Sequence, residues 1–541
     1  MPDTKPVPST DLKPWQAVAP QLVDVAMGRQ KADLVVRNGR WVNMHSGEVI
    51  PATDIAIVAG RFAYCGPDAS HAIGEKTKVV DAMGRYLVPG LCDAHMHVES
   101  GMVTVTEFCR AVIPHGTTSM FIDPHEIANV LGLDGVRLMH DEAMAQAINV
   151  FVQMPSCVPS APGLENAGAE LSAEDVAEAM GWPNIIGLGE VMNFPGVAAN
   201  DATMTGAIAA TVAAGKTVGG HYASPDLGLP FHGYVAGGPE DDHEGTRAED
   251  AIARVRQGMK AMLRLGSAWY DVASQIKAVT EQGLDPRNFI LCTDDSHSGT
   301  LVNDGHMDRV VRGGRLEADI PAYDYPAKAK NTVRLGKSLA AQDFDIAAPE
   351  GANHVRARVI GVIENQAPTR ALEAELGVED GIVAMDRRND VCQIALVERH
   401  RGTGNVTNGF VSGFGYMQDC AMASTVAHDS HHMIVVGTNK DDMAKAANRL
   451  GEVGGGVVLF SKGRELALVE MPIAGLMSDE RAEVVAQKAA KLTDAMRDMG
   501  CTLNNAYMQH SLLALVVIPE LRISDTGIID VTSFQKVDLF L

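Results

Sequence analysis

From Pro89 onward the chain alternates short apolar runs with stretches in which apolar residues recur every three or four positions, the pattern of strands and amphipathic helices in turn. The apolar runs predict strands at Leu91–His97, Thr117–Asp123, Val150–Pro155, Ile185–Glu190, Thr217–His221, Gly233–Gly237, Ser267–Trp269 and Phe289–Asp294. Helical stretches such as Ala173–Met180 and Ala248–Leu265 lie between them, so the region reads as an α/β (β/α)8 barrel of the TIM type. Ahead of it, Ala32–Val36, Ile55–Val58, Arg61–Cys65 and Tyr86–Val88 predict short strands broken by Gly and Asn turns, a small β unit. Past Arg312 the order is mixed: strands at Ile394–Glu398, His432–Gly437 and Gly456–Phe460, a helix over Asp441–Leu450, and a long helix after Ser478. Ser478 offers a capping hydroxyl there, with Asp479 and Glu480 in the positive first turn. The expected organisation is an arm (1–30), a small β domain (31–88), the barrel (89–312) and a C-terminal α/β domain (313–541).

Composition narrows the partners. With 46% hydrophobic and 21% charged residues the chain has the make-up of a globular protein, and a formal charge of -23 argues against a nucleic-acid backbone or an anionic membrane. A small neutral or cationic substrate fits better. No run reaches the roughly 18 apolar residues of a membrane span, and the first residues lack the apolar core of a secretory signal, so a cytoplasmic protein is expected. The cysteines are scattered without a CxxC pair, and Cys92 and Cys292 fall in apolar runs, which predicts buried thiols rather than disulfides or a nucleophile.

The chemistry gathers at the predicted C-terminal strand ends, which in such a barrel converge on one mouth. His95 and His97, at i and i+2 on a strand, point to one face and can bind one ion. Glu190 ends the fourth predicted strand, His221 the fifth and Asp294 the eighth, while His243 follows the sixth. Four imidazoles with two carboxylates suit two divalent first-row ions better than calcium or magnesium, and such a pair makes a bound hydroxide the nucleophile at neutral pH. Asp294 is then expected to take a proton from the attacking water and pass it to the leaving group. Asp123 is expected to protonate or orient the substrate, with a helix cap as the alternative, and Asp295 and Ser296 to lie close enough to touch it, with a turn role as theirs. Glu126 and His125 are expected to shape their loop, and His428, Asp429, His431 and His432 to form a polar turn before the strand Met433–Val436.

Several longer strings carry a resemblance. His115-Gly116-Thr117-Thr118 leads to Asp123-Pro124-His125-Glu126-Ile127-Ala128-Asn129-Val130; then come Gly189-Glu190-Val191-Met192-Asn193-Phe194-Pro195-Gly196, Asp242-His243-Glu244 and Cys292-Thr293-Asp294-Asp295. Ser424–His431 and Pro472–Glu480 continue it. Over residues 30–312 and most of 400–541 the chain resembles the amidohydrolase superfamily and, within it, the adenine deaminase family. That resemblance implies hydrolytic deamination of adenine to hypoxanthine and ammonia, with two divalent ions, Mn(II) or Fe(II), and Zn(II) as a further candidate. It implies that Glu190 bridges the ions where hydantoinase-like relatives place a carbamylated lysine, and that the C-terminal domain covers the barrel mouth, where one residue of the His428–His432 cluster could reach the substrate. A homodimer is expected. The family pattern breaks off after Arg312 and resumes at Gly313-Gly314-Arg315-Leu316, without the rest of a closing helix and the strands that complete the small β domain. A true deletion there predicts exposed apolar surface, whereas a compensated deletion or a segment merely absent from the given sequence, the reading favoured, leaves the chemistry unchanged; every ligand candidate survives in each case. Two rival readings stand beside this one: an amidohydrolase of a modified adenine or cyclic amide, and a non-catalytic metal- or purine-binding relative.

Overall fold

A computed structural model describes residues 13–311 and 323–541, so the Gly313–Leu316 stretch lies outside the described residues. The chain divides into two compact units, one running to Cys92 together with Met144–Asn149, the other holding the remainder.

In the first unit a helix, Trp15–Ala26, lays Val18, Leu22 and Val25 against a sheet ordered Arg61–Gly66, Glu48–Val58, Leu34–Asn43, Lys78–Asp81, with Tyr86–Leu87 also paired to Leu34–Asn43. Val35, Ala56 and Val58 supply the sheet's half of that core. Lys78–Asp81 is exposed along its whole length, Val79 and Val80 included. Eleven of the eighteen exposed large apolar side chains among the described residues lie between Trp15 and Val88.

The second unit contains the barrel. Six strands run in the order Thr217–Gly220, Ile185–Val191, Asn149–Met154, Thr117–Ile122, Leu91–His97, Asp294–Asp295, and three more in the order Asp241–Asp242, Lys260–Arg264, Phe289–Cys292. Two seams join these sheets into an eight-stranded closed array. Phe289–Cys292 continues into Asp294–Asp295 past Thr293, and the Glu240 N–H donates to the Val218 carbonyl at 2.8 Å. The first strand sends Asp93, His95 and His97 to one face; Asp93 accepts from the Thr293 N–H at 3.0 Å and so fastens the seam beneath the histidines.

Two predicted strands are corrected. Gly233–Gly237 covers the end and the C-cap of a helix, Leu229–Ala236, begun by Pro230 in its first turn, and Ser267–Trp269 is a loop. The sixth strand is instead Asp241–Asp242, which has no apolar signature because side-chain bonds hold it. Asp241 accepts from the Gly220 N–H at 3.0 Å, and Asp242 accepts from the Tyr222 N–H and from buried Arg254 Nε at 2.7 Å. The seventh is Lys260–Arg264, where the pattern predicts helix as far as Leu265; the helix ends at Arg256, and Gly258 at φ +91° turns the chain into the strand. The expectation for Cys92 also fails: Cys292 is buried, but Cys92 points outward.

The C-terminal part of this unit is built on a nine-stranded sheet with Val391–Val397, Met433–Gly437, Ala421–Ser424 and Gly456–Ser461 as its buried centre. The helix Lys440–Val453, capped by Asn439, packs Met443, Ala447 and Leu450 onto it. The long helix spans Ala482–Asp498, starting later than predicted, because the Ser478 N–H is taken by the Met102 carbonyl of the barrel and Arg481 occupies the cap. Among the described residues no helix is long and apolar enough to cross a membrane.

Candidate active site

All six predicted ligand candidates are buried and meet at the ends of the barrel strands. The arrangement centres on Glu190. Its Oε1 lies 2.7 Å from His95 Nε2 and 2.6 Å from His97 Nε2, while its Oε2 lies 2.9 Å from His221 Nδ1. His243 stacks on His95 with ring centroids 4.1 Å apart and brings Nε2 to 3.4 Å from Glu190 Oε1. Asp294 Oδ1 stands 3.5 Å from His97 Nε2 and 3.7 Å from His95 Nε2.

The outward nitrogens of the first pair are committed elsewhere, which orients the rings. His97 Nδ1 donates to the Asp123 carbonyl at 2.9 Å, and His95 Nδ1 faces Gln153 Oε1 at 3.5 Å. Both Nε2 atoms therefore turn their lone pairs toward the same carboxylate oxygen, only 3.2 Å apart. Neither nitrogen of His221, nor His243 Nε2, has a hydrogen-bond partner, although each ring is buried and close to carboxylates. Orphaned imidazole nitrogens crowded around shared carboxylate oxygens are costly as they stand and are satisfied by cations.

The field points the same way. Burial opposes charge on His95, but Glu190 outweighs it and lifts the imidazole to about 9. On His221 burial is likewise overcome, by Glu244 and Glu190, again to about 9. Burial pushes the Glu190 carboxyl up, yet His97 and His221 pull it well below its ordinary range. A place that holds protons this tightly holds divalent cations when they are offered, and the donor set, imidazole with carboxylate, fits first-row ions.

The supporting shell explains why Asp294 faces inward. It sits at φ +60°, a conformation an aspartate tolerates better than most residues, and its Oδ2 accepts from Arg264 Nη1 at 2.8 Å. Arg264, fully buried, also bonds Glu244 and Asp271, with its guanidinium 4.8 Å from the Trp269 ring centre. Asp123 does not cap the helix His125–Leu131; its Oδ2 accepts from the Glu190 N–H at 2.8 Å, and its Oδ1 lies 3.3 Å from His125 Nδ1. Tyr234 fastens the next two strand ends by donating to the Val191 carbonyl at 3.0 Å and accepting from the His221 N–H at 2.7 Å.

Of the two residues expected to touch substrate, Asp295 lines the cavity, its oxygens already bonded by Ser100 Oγ and by Trp269 Nε1 at 3.1 Å. Ser296 is buried but does not line it. Sequence reasoning missed Glu244, Arg264 and Trp269. Glu244 adjoins a ligand candidate, and Arg264 would have stood out at a strand end had the seventh strand been placed at Lys260–Arg264. The residues read as a plain polar turn do more than that, for His428 and Asp429 reach the cavity beside Leu512, Leu515 and Ile518, all from the C-terminal part of the chain.

The amidohydrolase family matches residues 86–303, which contain every ligand candidate, and the adenine deaminase C-terminal domain matches residues 366–535, which contain His428 and Asp429. The chain is 76% identical to an adenine deaminase of Mesorhizobium japonicum, covering 98% of this chain and 99% of the relative. It is 68% identical to adenine deaminase 3 of Rhizobium meliloti (98% and 100%) and 44% identical to an adenine deaminase of Moorella thermoacetica (97% and 99%). The three alignments run over 597, 594 and 591 positions against 541 residues here, so they include positions with no counterpart in this chain. With a deaminase-type C-terminal domain supplying side chains to a metal-binding barrel mouth and near-full-length likeness to these enzymes, the chain belongs to the adenine deaminase family of the amidohydrolases.

Proposed function

We propose that this chain hydrolyses adenine to hypoxanthine and ammonia. The observation that carries the reading is the split engagement of Glu190, one oxygen on the His95/His97 pair and the other on His221, within a chain whose relatives are named adenine deaminases. His95, His97, Glu190, His221, His243 and Asp294 would hold two divalent ions, Mn(II) or Fe(II) by preference over Zn(II). Bound there, such ions activate water at neutral pH as Lewis acids.

The protein's own groups then direct the proton traffic. Arg264 pins Asp294 Oδ2, which leaves Oδ1 turned to the site to accept the proton of the water that adds at C6. The same oxygen returns that proton to the departing amine, so water enters and ammonia leaves with no net change in the carboxylate. Asp123 orients the reacting groups through its bond to the Glu190 N–H, and Asp295 forms part of the wall. A cytoplasmic, homodimeric enzyme for the free base is the setting this reading expects.

The test is ammonia release from adenine, N6-methyladenine and hydantoin by the full chain purified from Mn(II)-supplemented cells. Adenine turnover that disappears on chelation and returns with Mn(II) is expected. Activity on hydantoin but not adenine refutes the substrate assignment, and a chain that retains no transition metal points to a binding protein instead.

A further inference from the structure

We infer that Asp429 is the residue that selects the free base, its carboxylate accepting the imidazole-ring N–H of the purine, a proton that nucleosides and 9-alkyl purines lack. The inference rests on the adenine reading above and adds a specificity residue to it.

The carboxylate is brought to the cavity by the turn between the strands Ala421–Ser424 and Met433–Gly437, not by the barrel. It is 4% exposed, and Oδ2 has no hydrogen-bond partner. His125 Nε2, 3.8 Å from Oδ2, already donates to the Cys157 carbonyl at 2.8 Å, so it is not available. A buried carboxylate oxygen left bare in the wall of a cavity calls for a donor on whatever fills that cavity.

The neighbours restrict what that donor is. Leu512, Leu515 and Ile518 make the adjoining wall apolar, suited to the face of a flat ring and without partners for sugar hydroxyls. His428 turns Nδ1 to Glu126 Oε1 at 3.5 Å and leaves Nε2 unpartnered. The barrel carboxylates and imidazoles occupy the metal end, where the C6 amine reacts. The edge of adenine remote from the C6 amine carries N3 and N9, and the N9–H of the free base is the donor that Asp429 lacks. Glycosylation or methylation at N9 replaces that donor with carbon and sets it against a desolvated carboxylate, which a site built for hydrogen bonding rejects strongly.

The experiment compares kcat/KM for adenine and 9-methyladenine in the Mn(II)-loaded full chain and in Asp429→Ala, with Asp429→Asn as the second variant should the first fail to fold. Metal content per chain is measured for each. The wild type is expected to prefer adenine by about 100-fold or more, the scale of a charge-assisted hydrogen bond, and Asp429→Ala to shrink that preference to about tenfold or less with both ions retained. Asp429→Asn, which keeps an acceptor without the charge, is expected to fall between them. A preference ratio unchanged in the variants, whether or not both rates fall, overturns the assignment to Asp429. A wild-type chain that deaminates no adenine overturns the functional reading and this inference together, an outcome distinct from the first.

Discussion

Glu190→Gln is the perturbation that tests the site most directly. The replacement is nearly isosteric and leaves the bond from the residue 190 N–H to Asp123 Oδ2 in place, so the strand end has no steric reason to move. What changes is one negative charge and one acceptor, at atoms 2.6 to 2.9 Å from three imidazole nitrogens. A unit charge about 4 Å from a cation is worth about 4 kcal/mol at an effective dielectric constant near 20, which corresponds to about 1,000-fold in affinity for an ion at the site. In the metal-free chain the new amide donates to the lone pairs of His95 and His97, whose other nitrogens already face carbonyl oxygens. The fold should therefore persist while metal is lost. The assay is metal counting after gel filtration in metal-free buffer, with ammonia release from adenine on the same samples and circular dichroism as the control for folding. Loss of at least one ion per chain together with nearly all activity is expected. A folded variant that keeps two ions and the wild-type rate refutes the bridging assignment.

Two further outcomes follow from the same geometry. A Cβ on Gly189 would stand 2.1 Å from Asp123 Oδ2, a short side chain with no room to retreat, so Gly189→Ala should displace Asp123 and lower kcat/KM about 100-fold; an unaffected rate would show that Asp123 has no positioning role. His95 and His221 are raised from 6.5 to about 9 in the metal-free fold, so their protonation stabilises it fully below pH 6.5 and is lost as pH rises through about 9. Divalent ions replace those protons, and the rise in melting temperature on adding Mn(II) should grow by several degrees between these pH values; a rise that shrinks across the window contradicts a cation site at these imidazoles.

The linear pattern by itself determined a good deal. Apolar runs alternating with helices specified the barrel, and the spacing of His95 and His97 specified a shared face, because strand geometry admits no other arrangement for i and i+2. Glu190, His221 and Asp294 were legible because each closes an apolar run whose strand end had to reach the mouth. Tertiary structure alone decided the rest. Asp241–Asp242 is a barrel strand only because Arg254 and neighbouring backbone amides compensate its charge, and those partners are distant in sequence or hidden in a helix. Arg264 acquires its role by converging with Glu244, Asp271 and Asp294, three residues on separate loops and strand ends. Asp429 lies more than a hundred residues beyond the barrel, in a turn whose polarity alone suggests solvent. Only the packing of the C-terminal sheet against the barrel strips that turn of water and leaves its carboxylate facing the cavity, since burial and the identity of facing groups are properties of the fold and not of any local window.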